Sequence, residues 1–210
     1  MKGIFISLEG IDGCGKTSQI KHLQNWLPQS GLMPKNSKLI ITHEPGGTLL
    51  GESLRKMLLD NSLNYSPKPI TELLLYAADR AQHVFEKINP ALNNGDWVLS
   101  DRFSGSTFAY QGFGRGIDLE IIEKLELIST NGLSPDLTFW LDVNLKDSLS
   151  RRSSFLNDRI EGEGKYFLER VASGFSTLAQ RTNWVKINAS KEISAVSKEI
   201  NEVLLKKFSP

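Results

Sequence analysis

Eight consecutive residues, Gly10-Ile11-Asp12-Gly13-Cys14-Gly15-Lys16-Thr17, spell G-x-x-x-x-G-K-S/T, and no other feature constrains the chain as much. The apolar run Gly3–Leu8 precedes the octapeptide and a helix-like segment, Ser18 to Leu27, follows it. Strand, glycine loop and helix in that order make a phosphate cradle (P-loop). The glycines let the backbone turn and aim successive N–H groups at phosphate oxygens, and the helix N-terminus adds partial positive charge. Lys16 is then expected to reach the β- and γ-phosphates of a bound nucleotide, and the Thr17 hydroxyl to ligate Mg²⁺. Cys14 reads as a small residue filling a loop position rather than a reactive thiol.

The rest of the chain repeats the alternation. Gly3–Leu8, Leu39–Thr42, Trp97–Ser100, Leu137–Leu141 and Trp184–Ile187 are strand-length and mostly free of charge, as in a parallel sheet covered on both faces. Between them, Leu74, Ala77, Ala81, Val84, Phe85 and Ile88 keep helical spacing. Asp118 stands as an N-cap before Ile121, Leu125 and Ile128, and Ile193, Val196, Ile200 and Leu204 mark a last helix. This alternation predicts an open α/β sheet with right-handed crossovers and ligands at the carboxyl ends of the strands. The stretch 31–38 reads as a loop.

At 210 residues the chain suits one domain. Twenty-five Lys and Arg against 24 Asp and Glu leave a formal charge of +1, which argues against broad nucleic-acid or membrane-surface binding. One cysteine excludes an intrachain disulfide and fits a reducing, cytoplasmic setting. The N-terminal apolar run is broken by Glu9, unlike a secretory signal, and the later run Leu73 to Ala78 is far short of a membrane span.

A phosphate cradle does not specify what receives the phosphate. A switch GTPase needs N-K-x-D late in the chain, where Ile187-Asn188-Ala189-Ser190 stands. A motor or helicase would be longer, so a small-molecule kinase is the better class. Further motifs sharpen this: Leu8-Glu9-Gly10-Ile11-Asp12-Gly13, Glu44-Pro45-Gly46-Gly47-Thr48, Leu75-Tyr76-Ala77-Ala78-Asp79-Arg80, Asp101-Arg102-Phe103 running on to Ser106-Thr107-Phe108-Ala109-Tyr110-Gln111-Gly112, and Asp158-Arg159-Ile160-Glu161. In this order, from Ile4 to about Ala189, the chain resembles the bacterial thymidylate kinases.

The resemblance implies an α/β fold, a P-loop nucleoside-monophosphate-kinase-like open parallel five-stranded sheet with helices on both faces. It implies one domain over 1–210 with a lid at about 151–163. The reaction would be ATP + dTMP → ADP + dTDP with Mg²⁺, in dTTP biosynthesis, by a homodimer. Gly10 to Thr17 would hold ATP. Arg102 and Arg55 would hold the acceptor phosphate, through the bidentate fork of a guanidinium. Asp101 would sit near Mg²⁺ through water. Tyr76 resembles the aromatic that stacks on thymine, and Arg80 the donor to a base carbonyl. Thr107 and Gln111 would meet the base edge. Tyr110 would crowd the sugar C2′, and Asp12 would face the 3′-hydroxyl. Glu44 completes the acceptor set. Alternatives are a kinase of the same fold acting on another nucleotide or nucleoside, and a nucleotide-binding regulator or assembly subunit.

Several positions depart from the family. His43 stands where an arginine is usual, Phe175 for a common tyrosine and Asn188 for a common aspartate. Gly13 follows Asp12 where some relatives carry arginine, so the charge on the transferred phosphoryl group must be met from elsewhere. Arg151, Arg152 and Arg159 flank the polar stretch Ser153-Ser154-Phe155-Leu156-Asn157 and are the candidate lid arginines, with Lys16 and Arg102 as the other catalytic residues.

Overall fold

The computed structural model describes residues 2–62, 65–151, 159–182 and 184–209. Five strands, β1 Phe5–Glu9, β2 Leu39–His43, β3 Trp97–Asp101, β4 Leu137–Asp142 and β5 Val185–Asn188, form one sheet in the order β2-β3-β1-β4-β5. All neighbours pair in parallel, as the uncharged runs predict. Each strand runs one residue further toward the site than its apolar run, because the last residue is polar: Glu9, His43, Asp101, Asp142 and Asn188. Gly3 lies outside β1, and a Cβ there would stand 1.9 Å from Asp96 O, so only glycine lets the chain pass.

Alternation along β1 divides the core. Ile6 and Leu8 join the larger cluster, with Leu23, Phe139, Phe175 and Ile200. Phe5 joins a smaller one with Val84, Ile88, Leu92, Val98 and Phe103, and meets Phe103 edge-on at 4.9 Å. The helices α1 Lys16–Trp26, α2 Leu49–Leu59, α3 Pro69–His83, α4 Asn89–Asn93, α5 Ser104–Thr107, α6 Leu119–Thr130, α7 Leu145–Arg151, α8 Lys165–Arg181 and α9 Ile193–Phe208 cover the sheet. Val84–Ile88 and Phe108–Gly114, which continue α3 and α5, are wound as π-helix. Asp118 caps α6 as expected, accepting from Glu120 N at 2.9 Å.

Two helix faces differ from the periodicity. On α3 and its extension Ala77, Val84 and Ile88 face inward as the spacing predicts, but so do Glu72, Leu73, Asp79, Arg80 and His83, while Leu74 is 50% and Phe85 80% exposed. On α6 the inward residues are Ile122, Glu126, Ser129 and Thr130, while Ile121 and Ile128 face out. Arg80 of α3 and Glu126 of α6 form a buried ion pair, so charged residues meet between the two helices.

Candidate active site

The loop after β1 folds as its glycines demand. Gly10 has φ 142°, and a Cβ there would press on both Cys14 Sγ and Leu141 O at 2.8 Å. Gly15 caps α1 in the left-handed region, so α1 opens at Lys16 with its first N–H groups toward the loop. Lys16 is buried and its Nζ donates to Gly10 O at 3.0 Å and Ile11 O at 3.2 Å, with Asp12 Oδ1 at 3.8 Å. Cys14 is buried, and burial pushes its thiol pKa up, consistent with a structural filler.

A cavity of about 820 Å³ lies over this loop. Gly13 to Gln19 floor it, His43, Asp101 and Arg102 close the strand-end side, and Arg151 with the start of α9 closes the other. Thr17 is exposed to it. Asp101 Oδ1 is buried with no hydrogen-bond partner among the described residues. An unpaired carboxylate oxygen and a free hydroxyl at a phosphate loop fit a hydrated Mg²⁺, which needs few protein ligands. No cluster of three or more ligating side chains occurs among the described residues.

A second, smaller cavity of about 90 Å³ adjoins the first, sharing Asp12, Glu44, Arg55 and Arg102. Tyr76, Arg80, Thr107, Tyr110 and Gln111 complete its wall, so every residue assigned to the acceptor by resemblance lines this one space. Arg102 stands between the cavities. It adopts φ 72°, a strained conformation for a side-chain-bearing residue. Its N–H donates to Leu8 O, its carbonyl accepts from Ser100 Oγ at 2.7 Å, and the next N–H, of Phe103, donates to Glu9. The guanidinium donates to Gly10 O and Ser106 Oγ, both at 2.9 Å, pairs with Asp12 and lies over the Tyr110 ring. Burial alone would raise the pKa of Asp12, but Arg102 and Lys16 outweigh it and hold the carboxyl far below its usual range.

Behind the smaller cavity Arg80 is pinned by two acids. Its Nε donates to Glu44 at 2.8 Å and its Nη1 pairs with Glu126. Glu44 also meets His83 Nδ1 at 2.8 Å, and His83 Nε2 meets Thr42 Oγ1 at 2.6 Å. Burial would raise the pKa of Glu44, but Arg80 and His83 bring it below the ordinary value. Arg55 donates to Pro45 O at 2.8 Å.

A profile of the family described as thymidylate kinase matches residues 8–200. A thymidylate kinase of Prochlorococcus marinus is 59% identical over 209 residues, covering 99% of this chain and 95% of its own. One from a Synechococcus species is 59% identical over 93% of this chain and 94% of its own. The crystal structure of thymidylate kinase from Ehrlichia chaffeensis superposes with a TM-score of 0.78 at 33% identity, covering 97% of this chain and all of that one. The chain belongs to the thymidylate kinase family.

Family members are ATP-dependent nucleoside monophosphate kinases, which accounts for two adjoining cavities with a phosphate loop under one of them. Of the candidate lid arginines, Arg151 lines the larger cavity and donates to Ala189 O at 2.8 Å. Arg159 is turned elsewhere, donating through Nε to Leu58 O at 2.8 Å and pairing with Glu72. Arg152, Ser153–Asn157 and Asp158 lie outside the described residues. His43 lines the larger cavity, and partial burial with Arg55 nearby holds its pKa below the usual value, so the position offers no fixed charge. Phe175 meets the Tyr110 ring edge-on at 6.1 Å, a packing role that needs no hydroxyl. Asn188 accepts from Ser190 N at 3.0 Å and shapes the turn after β5.

Sequence reasoning missed the supporting residues. Glu9 accepts from Phe103 N at 2.9 Å and Ser106 Oγ at 2.7 Å, and so holds both the strained peptide and a partner of Arg102. Its signal was an acid ending an apolar strand. Ser148 Oγ donates to Asp12 O, joining α7 to the loop, and nothing in the local sequence points to that.

Proposed function

We propose that this chain transfers the γ-phosphate of ATP to dTMP, giving ADP and dTDP, with the larger cavity holding ATP and the smaller one dTMP. The observation that carries this reading is Arg102, which borders both cavities and touches the phosphate loop at Gly10. A guanidinium there can grip the acceptor phosphate at the point nearest the donor. Lys16, whose Nζ donates to two carbonyls, would exchange them for phosphate oxygens. The chain's work is alignment and charge compensation rather than covalent chemistry. Mg²⁺, held by Thr17 directly and Asp101 through water, would neutralise the donor phosphates. Tyr76, Arg80, Thr107 and Gln111 would hold the base, and Asp12 and Tyr110 the sugar.

We place this activity in the cytoplasm, where ATP is supplied. The one cysteine needs no oxidising compartment, and no described helix is long and apolar enough to cross a membrane. Apolar side chains left outward on α2, α3 and α6 support a homodimer. An ADP-release assay with and without dTMP tests the reading. Release that depends on dTMP, with dTDP as product and little turnover of thymidine, is expected. Release independent of any acceptor would overturn it.

A further inference from the structure

Glu72, in the first turn of α3, is fully buried beside the smaller cavity. Gln111 Nε2 donates to its Oε1 at 2.9 Å, Arg115 donates through Nε and Nη2 at 3.1 and 3.0 Å, and Arg159 Nη2 completes the set. Burial alone would raise this acid's pKa, but the bonds from Arg115, Arg159 and Gln111 outweigh it and hold it below the ordinary range. Glu72 is therefore ionised and can only accept.

A glutamine amide has a donor end and an acceptor end. With the NH₂ of Gln111 committed to Glu72, its carbonyl oxygen is the end left for the cavity that Gln111 lines, and it has no protein partner among the described residues. Arg80 lines the same cavity with Nε and Nη1 already taken, leaving Nη2, and a guanidinium can only donate. The pocket thus shows a base one donor and one acceptor of fixed kind. Thymine presents the complement, an O4 acceptor and an N3–H donor. Cytosine presents the reverse, an amino donor and a bare N3 acceptor.

We propose that Glu72 sets the pyrimidine choice of the acceptor site: by accepting from the Gln111 amide it fixes the Gln111 carbonyl toward the base, admitting a thymine-type edge and opposing a cytosine-type one. This rests on the reading of the smaller cavity as the dTMP site and deepens it. Glu72 does not touch the nucleotide. It is a positioning residue acting through Gln111, and Arg115 and Arg159 keep it charged. A flipped Gln111 amide would turn its donor toward the base, where it suits cytosine N3.

The test is the ratio of kcat/KM for dTMP to that for dCMP in the wild type, Glu72→Gln, Gln111→Met and the double variant. Glutamine at 72 keeps the shape but offers Gln111 either amide end. The ratio is expected to fall at least about tenfold in Glu72→Gln, because the penalty against cytosine is relieved. Adding Glu72→Gln to Gln111→Met should change it no further, since the two act as one unit. A purely structural role would lower both substrates alike. An unchanged ratio in Glu72→Gln, or an equal drop in the Gln111→Met background, overturns the proposal. Should Glu72→Gln fail to fold, Glu72→Asp replaces it, keeping the charge for the arginines and withdrawing the acceptor from Gln111. A severalfold fall in the ratio is then expected, and no fall overturns it. Wild-type protein inert toward dTMP would remove the acceptor reading and this inference together. Active wild type with an unmoved ratio removes the role of Glu72 alone.

Discussion

Arg159 and Glu72 form an ion pair that fastens the segment before α8 to α3, and Arg159 also donates to Leu58 O rather than lining the larger cavity. Arg151, in contrast, faces the cavity that holds Lys16. The two arginines should therefore fail differently. Arg151→Ala is expected to lower kcat at least ~100-fold with dTMP affinity little changed, as for an arginine that meets charge on the transferred group. Arg159→Ala should keep kcat within about tenfold but lose about 1–3 kcal/mol of stability, because Glu72 keeps Arg115 and Gln111 as partners. Steady-state kinetics and urea unfolding on both variants check this. A larger kcat loss in Arg159→Ala than in Arg151→Ala would reverse the assignment.

Glu9 gives the fold a pH dependence. Burial pushes its pKa up from 4.5 to about 7, only partly offset by Ser106, Arg102 and the Phe103 N–H. An acid whose folded pKa lies above its unfolded value resists ionising in the fold. The resulting cost is absent below about pH 4.5, grows as pH rises, and is complete above about pH 7. At ~1.4 kcal/mol per pH unit its upper bound is about 3 kcal/mol. Glu9→Gln, which cannot ionise, should gain about 2 kcal/mol relative to wild type between pH 5 and pH 8, on top of a constant loss from the weaker acceptor. Urea unfolding at the two pH values measures it, and parallel stability profiles would refute it.

Tyr110 joins the proposed sugar site to the core. Its hydroxyl donates to Asp12 Oδ2 at 3.0 Å while its ring packs on Phe175. Tyr110→Phe keeps the ring, so the preference for deoxyribose should stay while kcat falls through a freer Asp12. Tyr110→Ala removes the ring, and the activity on ribo-TMP relative to dTMP should rise. Loss of a buried ring also costs about 3–5 kcal/mol in packing, so the ratio of substrates rather than the rate is the readout. An unchanged deoxy-to-ribo ratio in Tyr110→Ala takes Tyr110 out of that role.

Much of this was legible in the chain. The strands follow from uncharged runs, because a parallel sheet is buried on both faces. The phosphate loop follows from glycines whose backbone angles no other residue adopts easily. The acceptor residues came from resemblance, and all of them line one cavity. What periodicity misread was part of α3 and most of α6. An ion pair such as Arg80–Glu126 counts as surface in any hydrophobic pattern, yet here it is the inward face. The π-wound segment Phe108–Gly114 also hides from a 3.6-residue period, and it carries Tyr110 and Gln111. The partners of Glu9 and Glu72 lie 39 to 97 residues away, beyond any local pattern.

Several apolar side chains of this helical layer lie outside. Leu49 of α2, Leu74 and Phe85 on α3 and its extension, and Ile121 and Ile128 of α6 are all exposed, with Ile128 at 75%. α3 packs against both α2 and α6. Each such side chain gains about 1.5–3 kcal/mol on full burial, so a second copy covering this layer would be strongly favoured. The protein should sediment as a dimer at micromolar concentration. Phe85→Glu combined with Ile128→Glu should give monomers, since a buried unpaired carboxylate costs several kcal/mol. The monomers should still melt cooperatively, because neither side chain belongs to the core. A monomeric wild type, or a double variant that stays dimeric, would show that this face is not where the copies meet.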